Sequence, residues 1–88
     1  MFKIKLICEG VPASVGQTAA LDITDEFAHR PHHTHAVCSW NGSSLLLELE
    51  NDFDENGLAS MDEFSDAIAA CIAESFDGNI RVASISSE

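Results

Sequence analysis

The sequence predicts an α+β domain in which an antiparallel sheet is covered on one face by a single amphipathic helix. Two observations lead to this prediction. Apolar and polar side chains alternate through most of the stretch from residue 2 to residue 51, as is typical of half-buried strands. Apolar side chains then recur at three- and four-residue spacing from Met61 to Phe76, as is typical of a helix packed on a sheet. The predicted order is β-β-β-β-α-β, a meander formed by all 88 residues as one domain.

The first two strands are predicted from alternation. Residues 2–8 place their even-numbered, apolar side chains on one face. Residues 9–17 contain two glycines and a proline and are expected to form a loop. Residues 18–28 alternate again, with Asp25 on the apolar side as a misfit that we interpret as a bulge. A helix that begins at Thr24 is the alternative for this segment.

The dipeptide Asn41-Gly42 predicts a hairpin with a two-residue type I′ turn, which requires positive φ at both central residues. This turn pairs Trp40 with Ser43 and fixes the register of both strands. The face expected to meet the helix carries Ala36, Cys38, Trp40, Leu45, Leu47 and Leu49. The other face carries His35, Val37, Ser39, Leu46, Glu48 and Glu50.

Ser60 and Glu63 form a capping box at the start of the predicted helix, and Gly78 is expected to end it. Residues 79–86 then predict a last strand, antiparallel to the first strand and able to lie beside it. On the sheet face away from the helix, Ile7, Val37 and Leu46 are predicted to form an apolar patch. Such a patch on a small protein marks a surface for a protein partner or for a homodimer.

The charge of the chain excludes some partners. Fifteen acidic and four basic side chains give a formal net charge of -11. Binding to DNA, RNA or anionic membranes requires clustered lysine and arginine, so we expect no nucleic-acid and no membrane partner. No stretch approaches the roughly 20 apolar residues of a membrane helix. Eight of the fifteen carboxylates lie between Glu48 and Asp66, a density that favours solvation or a bound cation.

Residues 52–63 carry oxygen-bearing side chains at positions one, three, five, nine and twelve of a twelve-residue window, with glycine at position six. This pattern resembles the calcium loop of the EF-hand family. The resemblance implies a Ca²⁺ site whose ligands are Asp52, Asp54, Asn56, the Leu58 carbonyl, Ser60 and Glu63. It covers only the loop and the following helix, and the preceding stretch from Ser44 to Glu50 alternates like a strand where the family has a helix. The same residues are also explained without an ion, as a turn, a capping box and solvated carboxylates.

Four histidines lie within seven residues, from His29 to His35. His33 and His35 would point the same way on a strand, and two imidazoles on one face can hold a transition metal such as Zn²⁺. The alternative is a polar connection with solvated side chains. The three cysteines match no zinc motif, and each falls at an apolar-face position, so we interpret them as free thiols in the core of a cytoplasmic protein.

These patterns predict a small acidic domain that interacts with a partner and is not an enzyme, without a resident cofactor. The alternative is a calcium-binding module built on the acidic loop. A small enzyme that uses the histidine segment is a third hypothesis, for which the sequence contains no further motif. Ca²⁺ should raise the melting temperature only in the second case.

Overall fold

The computed structural model describes residues 1–73, 76 and 78–87 of the chain. The elements, in chain order, are β1 (Phe2–Glu9), α1 (Ala13–Ala28), β2 (Thr34–Trp40), β3 (Ser44–Asn51), α2 (Leu58–Cys71) and β4 (Asn79–Ser87). Four strands form one antiparallel sheet, and two helices pack on one of its faces. The predicted α+β class is therefore confirmed. The predicted single helix and the order β-β-β-β-α-β are wrong, because the second predicted strand is helix α1.

The strand order in the sheet is β2-β3-β1-β4. β3 lies between β1 and β2, and β1 lies between β3 and β4, so the two β-α-β units interlock. This is the split βαβ, or ferredoxin-like, arrangement. The expected meander is wrong, because α1 carries the chain across the sheet to its far edge. The expectation that the last strand lies antiparallel beside the first is confirmed by the pairing of Ile4 with Ile85.

The side of helix α1 that meets the sheet carries three small residues and two large ones. Gly16, Ala19, Ala20, Ile23 and Phe27 are buried, at helical spacing. The alternation that predicted a strand depended on Leu21 being in the core, whereas Leu21 is 63% exposed. Small side chains contribute little to the hydrophobic periodicity of a helix, so the two-residue alternation of residues 18–28 wrongly indicated a strand.

Gly16 permits a close approach between α1 and β2. The indole of Trp40 lies directly over its Cα, so a Cβ at this position would collide with the ring. Trp40 was expected on the face that meets the predicted helix, and it packs on that face against α1 rather than α2.

The hairpin between β2 and β3 turns at Gly42 and Ser43, one residue later than predicted. Trp40 pairs with Leu45 instead of Ser43. Of the two central turn residues, only Gly42 has a positive φ, of 101°. This fits a type II′ turn and not the predicted type I′ turn. The Asn41 side chain accepts the backbone N–H groups of Ser43 and Ser44 at 2.9 and 2.8 Å and so moves the turn. The register shift is two residues across the pair, so the predicted inward face is kept.

Helix α2 buries Phe64 and Ile68 of its predicted stripe against the sheet, and Ala67 is buried with them. It ends at Cys71, and Ile72 is already extended with φ -117° and ψ 111°. The predicted continuation to Phe76 and the stop at Gly78 are therefore wrong. Residues 74, 75 and 77 of that prediction lie outside the described residues.

Candidate functional site

A buried polar network lies where β3 ends and α2 begins. His33 Nε2 is 2.6 Å from Glu63 Oε2, and its Nδ1 is 3.2 Å from Asn51 Nδ2. The same amide donates to Ser60 Oγ at 3.3 Å. The side chain of His33 is 0% exposed. The network thus ties together the segment before β2, the last residue of β3 and the first turn of α2.

The backbone around Asn51 determines which nitrogen of His33 carries the proton. Asn51 Oδ1 accepts the N–H groups of Phe53 and Asp54 at 3.3 and 3.0 Å. The donor end of the amide, Nδ2, therefore faces His33 Nδ1, which must accept. The ring proton lies on Nε2 and is donated to Glu63.

Two aromatic rings enclose His33. The Phe27 and Phe53 ring centroids lie 5.7 and 5.8 Å from the imidazole centroid. The imidazole therefore contacts both rings, and both of its nitrogens lie within hydrogen-bond distance of protein atoms. The arrangement favours a structural role for His33 over acid–base catalysis.

Glu63 also binds Arg30, which is the only arginine on the helix-bearing side of the described structure. Arg30 Nη1 donates to Glu63 Oε1 at 3.0 Å, and Nη2 donates to Glu26 at 3.2 Å. Burial alone would raise the pKa of Glu63, but the hydrogen bonds from His33 and Arg30 outweigh it and hold that pKa below its usual value. Glu63 is therefore a carboxylate committed to two partners.

The acidic loop provides the N-terminal cap of α2. Asp54 Oδ1 accepts the N–H of Ala59 at 3.2 Å, and Oδ2 accepts that of Ser60 at 2.7 Å. Asn56 Oδ1 accepts the N–H of Leu58 at 3.2 Å. The first three N–H groups of the helix are thus satisfied by loop side chains. Burial would raise the pKa of Asp54, but these hydrogen bonds lower it below the ordinary value.

The predicted capping box is wrong. Ser60 lies inside the first turn of α2, and the residue before the helix is Gly57, with φ 77°. Glu63 turns toward Arg30 and His33 instead of the backbone. The capping box predicted a helix that begins at Met61, whereas α2 begins at Leu58 and is capped by Asp54, six residues before Ser60.

The structure places the six residues of the predicted calcium site around this helix start. Asp54, Asn56 and Ser60 converge on the first turn, where their side-chain oxygens already hold protein hydrogen bonds. Asp52 is exposed, Leu58 begins α2, and Glu63 points to Arg30 and His33. Within residues 1–73, 76 and 78–87 no group of three or more His, Cys, Asp and Glu side chains is arranged to hold a metal. Calcium binding stays a prediction.

His33 and His35 do not share a strand face. β2 begins at Thr34, after His33, and its pairing with β3 shifts between Thr34 and Val37. His35 lies in this bulge with φ 54°; its side chain is 81% exposed and its Nδ1 is 2.5 Å from Glu50. The bulge turns the second imidazole to the surface while the first is enclosed. Binding of a transition metal by either histidine remains untested.

The cysteines lie in or beside the core, as predicted. Cys8 and Cys38 are buried and Cys71 is partly buried; all three are free thiols. Burial raises the pKa of all three, that of Cys38 to about 12. A raised thiol pKa leaves little thiolate at neutral pH, which disfavours nucleophilic chemistry.

The sheet face opposite the helices carries the predicted patch. Ile7 and Leu46 are direct partners across β1 and β3. Val37, on the neighbouring strand β2, is 55% exposed. No described helix or strand covers this face. We call it the open face and define it by Lys3, Lys5, Ile7, Glu9, Val37, Ser39, Leu46, Glu48, Glu50 and Arg81.

In comparisons with known proteins, no family model matches this chain and no curated protein is significantly similar to it. Neither α1 nor α2, nor any other helix in the described part, has the length and apolar character needed to cross a bilayer.

Asn51 and Arg30 are the members of the polar network that sequence reasoning missed. Neither Asn51, at the end of β3, nor Arg30, in the connection before Pro31, was predicted to join a polar network. A signal was present for Arg30, which is the only basic residue between Lys5 and Arg81. A single basic side chain among many carboxylates is expected to form an ion pair with one of them.

Proposed function

We propose that this chain is a small, acidic, non-catalytic interaction domain that binds a protein partner through the open face. The observation that carries the proposal is the placement of both helices on one side of the sheet. Ile7, Leu46 and Val37 are left on the other side, partly or mostly exposed. Apolar surface collected on one face of a small domain is typical of a binding surface.

The buried polar network supports the non-catalytic part of the proposal. His33 is the histidine best placed beside a carboxylate, yet its ring is enclosed by Phe27 and Phe53. Its partner Glu63 is neutralised by Arg30. These groups hold β3 to α2, and their polar atoms are hydrogen-bonded to one another.

We also propose a cytoplasmic location. Its support is the set of three free thiols, of which Cys8 and Cys38 are buried. Free thiols in a small protein are typical of a reducing compartment.

The interaction is tested with a substitution at the centre of the patch. Leu46→Asp should abolish capture of the partner by the immobilised chain, because it places a charge in the apolar contact. Leu21→Asp is the matched control, since Leu21 is 63% exposed on α1, away from the open face. Equal capture by both variants, with both folded by circular dichroism, would contradict the proposal.

Calcium binding by residues 52–63 is the alternative proposal, supported by the spacing of oxygen ligands in the sequence. Ca²⁺ would have to replace the bonds from Ala59 and Ser60 to Asp54. A lone loop predicts weak binding, at a Kd of about 10⁻⁴–10⁻³ M. Calorimetric titration of wild type and of Asp52→Asn, whose side chain is exposed and off the helix cap, tests it. No heat and no change in melting temperature at millimolar Ca²⁺ rules the site out.

A further inference from the structure

The charges of this protein are segregated between its two sides. Three of its four basic residues, Lys3, Lys5 and Arg81, lie on the open face. Three carboxylates lie there with them, so the face is neutral although the chain carries a net charge of -11. The other nine described carboxylates lie in the helices and in the loop before α2, with Arg30 as the one basic residue. The open face is therefore the part of the described surface that is not acidic.

The positive and negative side chains of the open face pair with one another between neighbouring strands. Lys5 is 3.8 Å from Glu48 on β3, and Arg81 on β4 is 3.1 Å from Glu9 on β1. Lys3 is the direct partner of Glu50 in the β1–β3 register. These pairs lie beside the apolar cross-strand pair Ile7–Leu46, on both sides of it along the strands.

We infer that the partner bound by the open face is a second copy of this chain, packed face to face about a two-fold axis. The inference rests on the proposed function and specifies its partner. A two-fold interface brings the same patch from both copies together, so the patch must complement itself. A neutral face that carries both signs of charge beside apolar side chains meets this requirement, because each Lys5 can meet a Glu48 of the other copy.

Charge also argues against the other occupants. Contact between two copies through the helical sides would bring uncompensated carboxylates together, which costs free energy. A basic protein would be attracted to those same helical sides and not to the neutral face. Of the described surfaces, the open face is the one where two acidic chains meet without net repulsion.

Sedimentation of wild type, Lys5→Glu and Glu48→Lys at micromolar concentrations tests the inference. Each reversal gives both copies of the face the same net charge, so the dimer dissociation constant should rise by about tenfold or more. Mixing the two variants should restore the dimer, since the faces are then oppositely charged. Asp66→Lys is the control for Glu48→Lys, with the same change in net charge on an exposed position of α2, and it should not weaken the dimer.

The outcomes separate the dimer from the proposed function. A chain that remains monomeric, while Leu46→Asp still abolishes binding of a different protein, overturns the dimer and leaves the proposed function standing. A dimer that neither charge reversal weakens overturns the inference, since another surface then forms the contact. A monomer that binds no protein overturns both. A reversal-sensitive dimer that the mixture restores supports both.

Discussion

At the scale of single residues, Glu63 joins helix α2 to the connection between α1 and β2. It accepts hydrogen bonds from Arg30, after α1, and from His33, before β2, while itself belonging to α2. Both partners stabilise its ionised form and lower its pKa, although burial opposes them. A carboxylate whose pKa is depressed in the folded state contributes stability above its unfolded pKa and loses it as the pH falls through the folded value.

At pH values below the unfolded pKa of Glu, about 4.3, the melting temperature should therefore fall as Glu63 is protonated. In Glu63→Gln this acid-induced fall should be smaller, because the substituted side chain does not titrate. Glu55→Gln, at an exposed loop position, is the control and should behave like wild type. Thermal unfolding followed by circular dichroism from pH 7 to pH 2 measures the difference. Parallel curves for Glu63→Gln and wild type would show that Glu63 is not the group concerned.

Gly16 is the second residue whose role is set by one contact. In an isolated helix, replacing glycine with alanine stabilises by about 0.5–1 kcal/mol. Here the added Cβ meets the Trp40 indole, so Gly16→Ala should destabilise the protein by about 1–3 kcal/mol. Denaturant unfolding and a shift in tryptophan fluorescence are the measurements.

The control for Gly16→Ala is the same change made in a Trp40→Ala background. With the indole removed, alanine should regain its ordinary advantage in the helix, and the sign of the effect should reverse. Destabilisation of the same size in both backgrounds would mean that the indole is not the cause.

At the scale of elements, the outer edge of β2 is bound by α1. The Thr24 hydroxyl accepts the N–H of Cys38 at 2.8 Å and lies 3.1 Å from the Cys38 carbonyl. It is also 2.8 Å from the Ala20 carbonyl. A side chain of α1 thus satisfies the middle of an edge strand, where exposed backbone groups would otherwise pair with another chain.

Thr24→Val keeps the shape of the side chain but leaves the Cys38 N–H without this acceptor. The loss should be about 1–3 kcal/mol, the cost of a buried donor without a partner. Exchange of the Cys38 amide hydrogen should become faster. Thr18→Val is the matched control, because Thr18 is exposed on the same helix. Unchanged exchange at Cys38 would contradict the role given to Thr24.

At the scale of the whole molecule, repulsion among the carboxylates on the helix-bearing side of the sheet destabilises the folded state. Carboxylates on α1, on α2 and in the loop between β3 and α2 face solvent with few basic neighbours. Like charges that folding brings together destabilise the compact state, and salt screens them over a Debye length of about 10 Å at 0.1 M.

Sodium chloride should therefore raise the melting temperature. In Asp22→Asn/Asp66→Asn, which removes exposed charges from both helices, the rise should be smaller. Glu48→Gln is the control, because Glu48 is paired with Lys5 and its loss should not reduce the rise. Melting curves at increasing salt measure the effect. A fall in melting temperature with salt would mean that attractive pairs dominate.

The parts of this structure that were predicted from sequence depend on local patterns. Alternation identified the inward face of β1, including Ile4 and Leu6, and the leucines of β3, since the side-chain period of a strand is a property of neighbouring residues. Three- and four-residue spacing identified Phe64 and Ile68 on α2. The same patterns placed Ile7, Val37 and Leu46 on the open face.

Tertiary structure decided the remainder. Helix α1 was missed because the alanines and glycine on its inner side become a packing surface only when Trp40 and β2 lie over them. The buried network joins His33 to Glu63 across 30 positions of the chain, and no local pattern relates residues at that distance. The sequence determined which side chains face inward along each strand and along α2. Only packing decided which strands are neighbours and which polar groups meet, because those contacts form between segments that are distant in the chain.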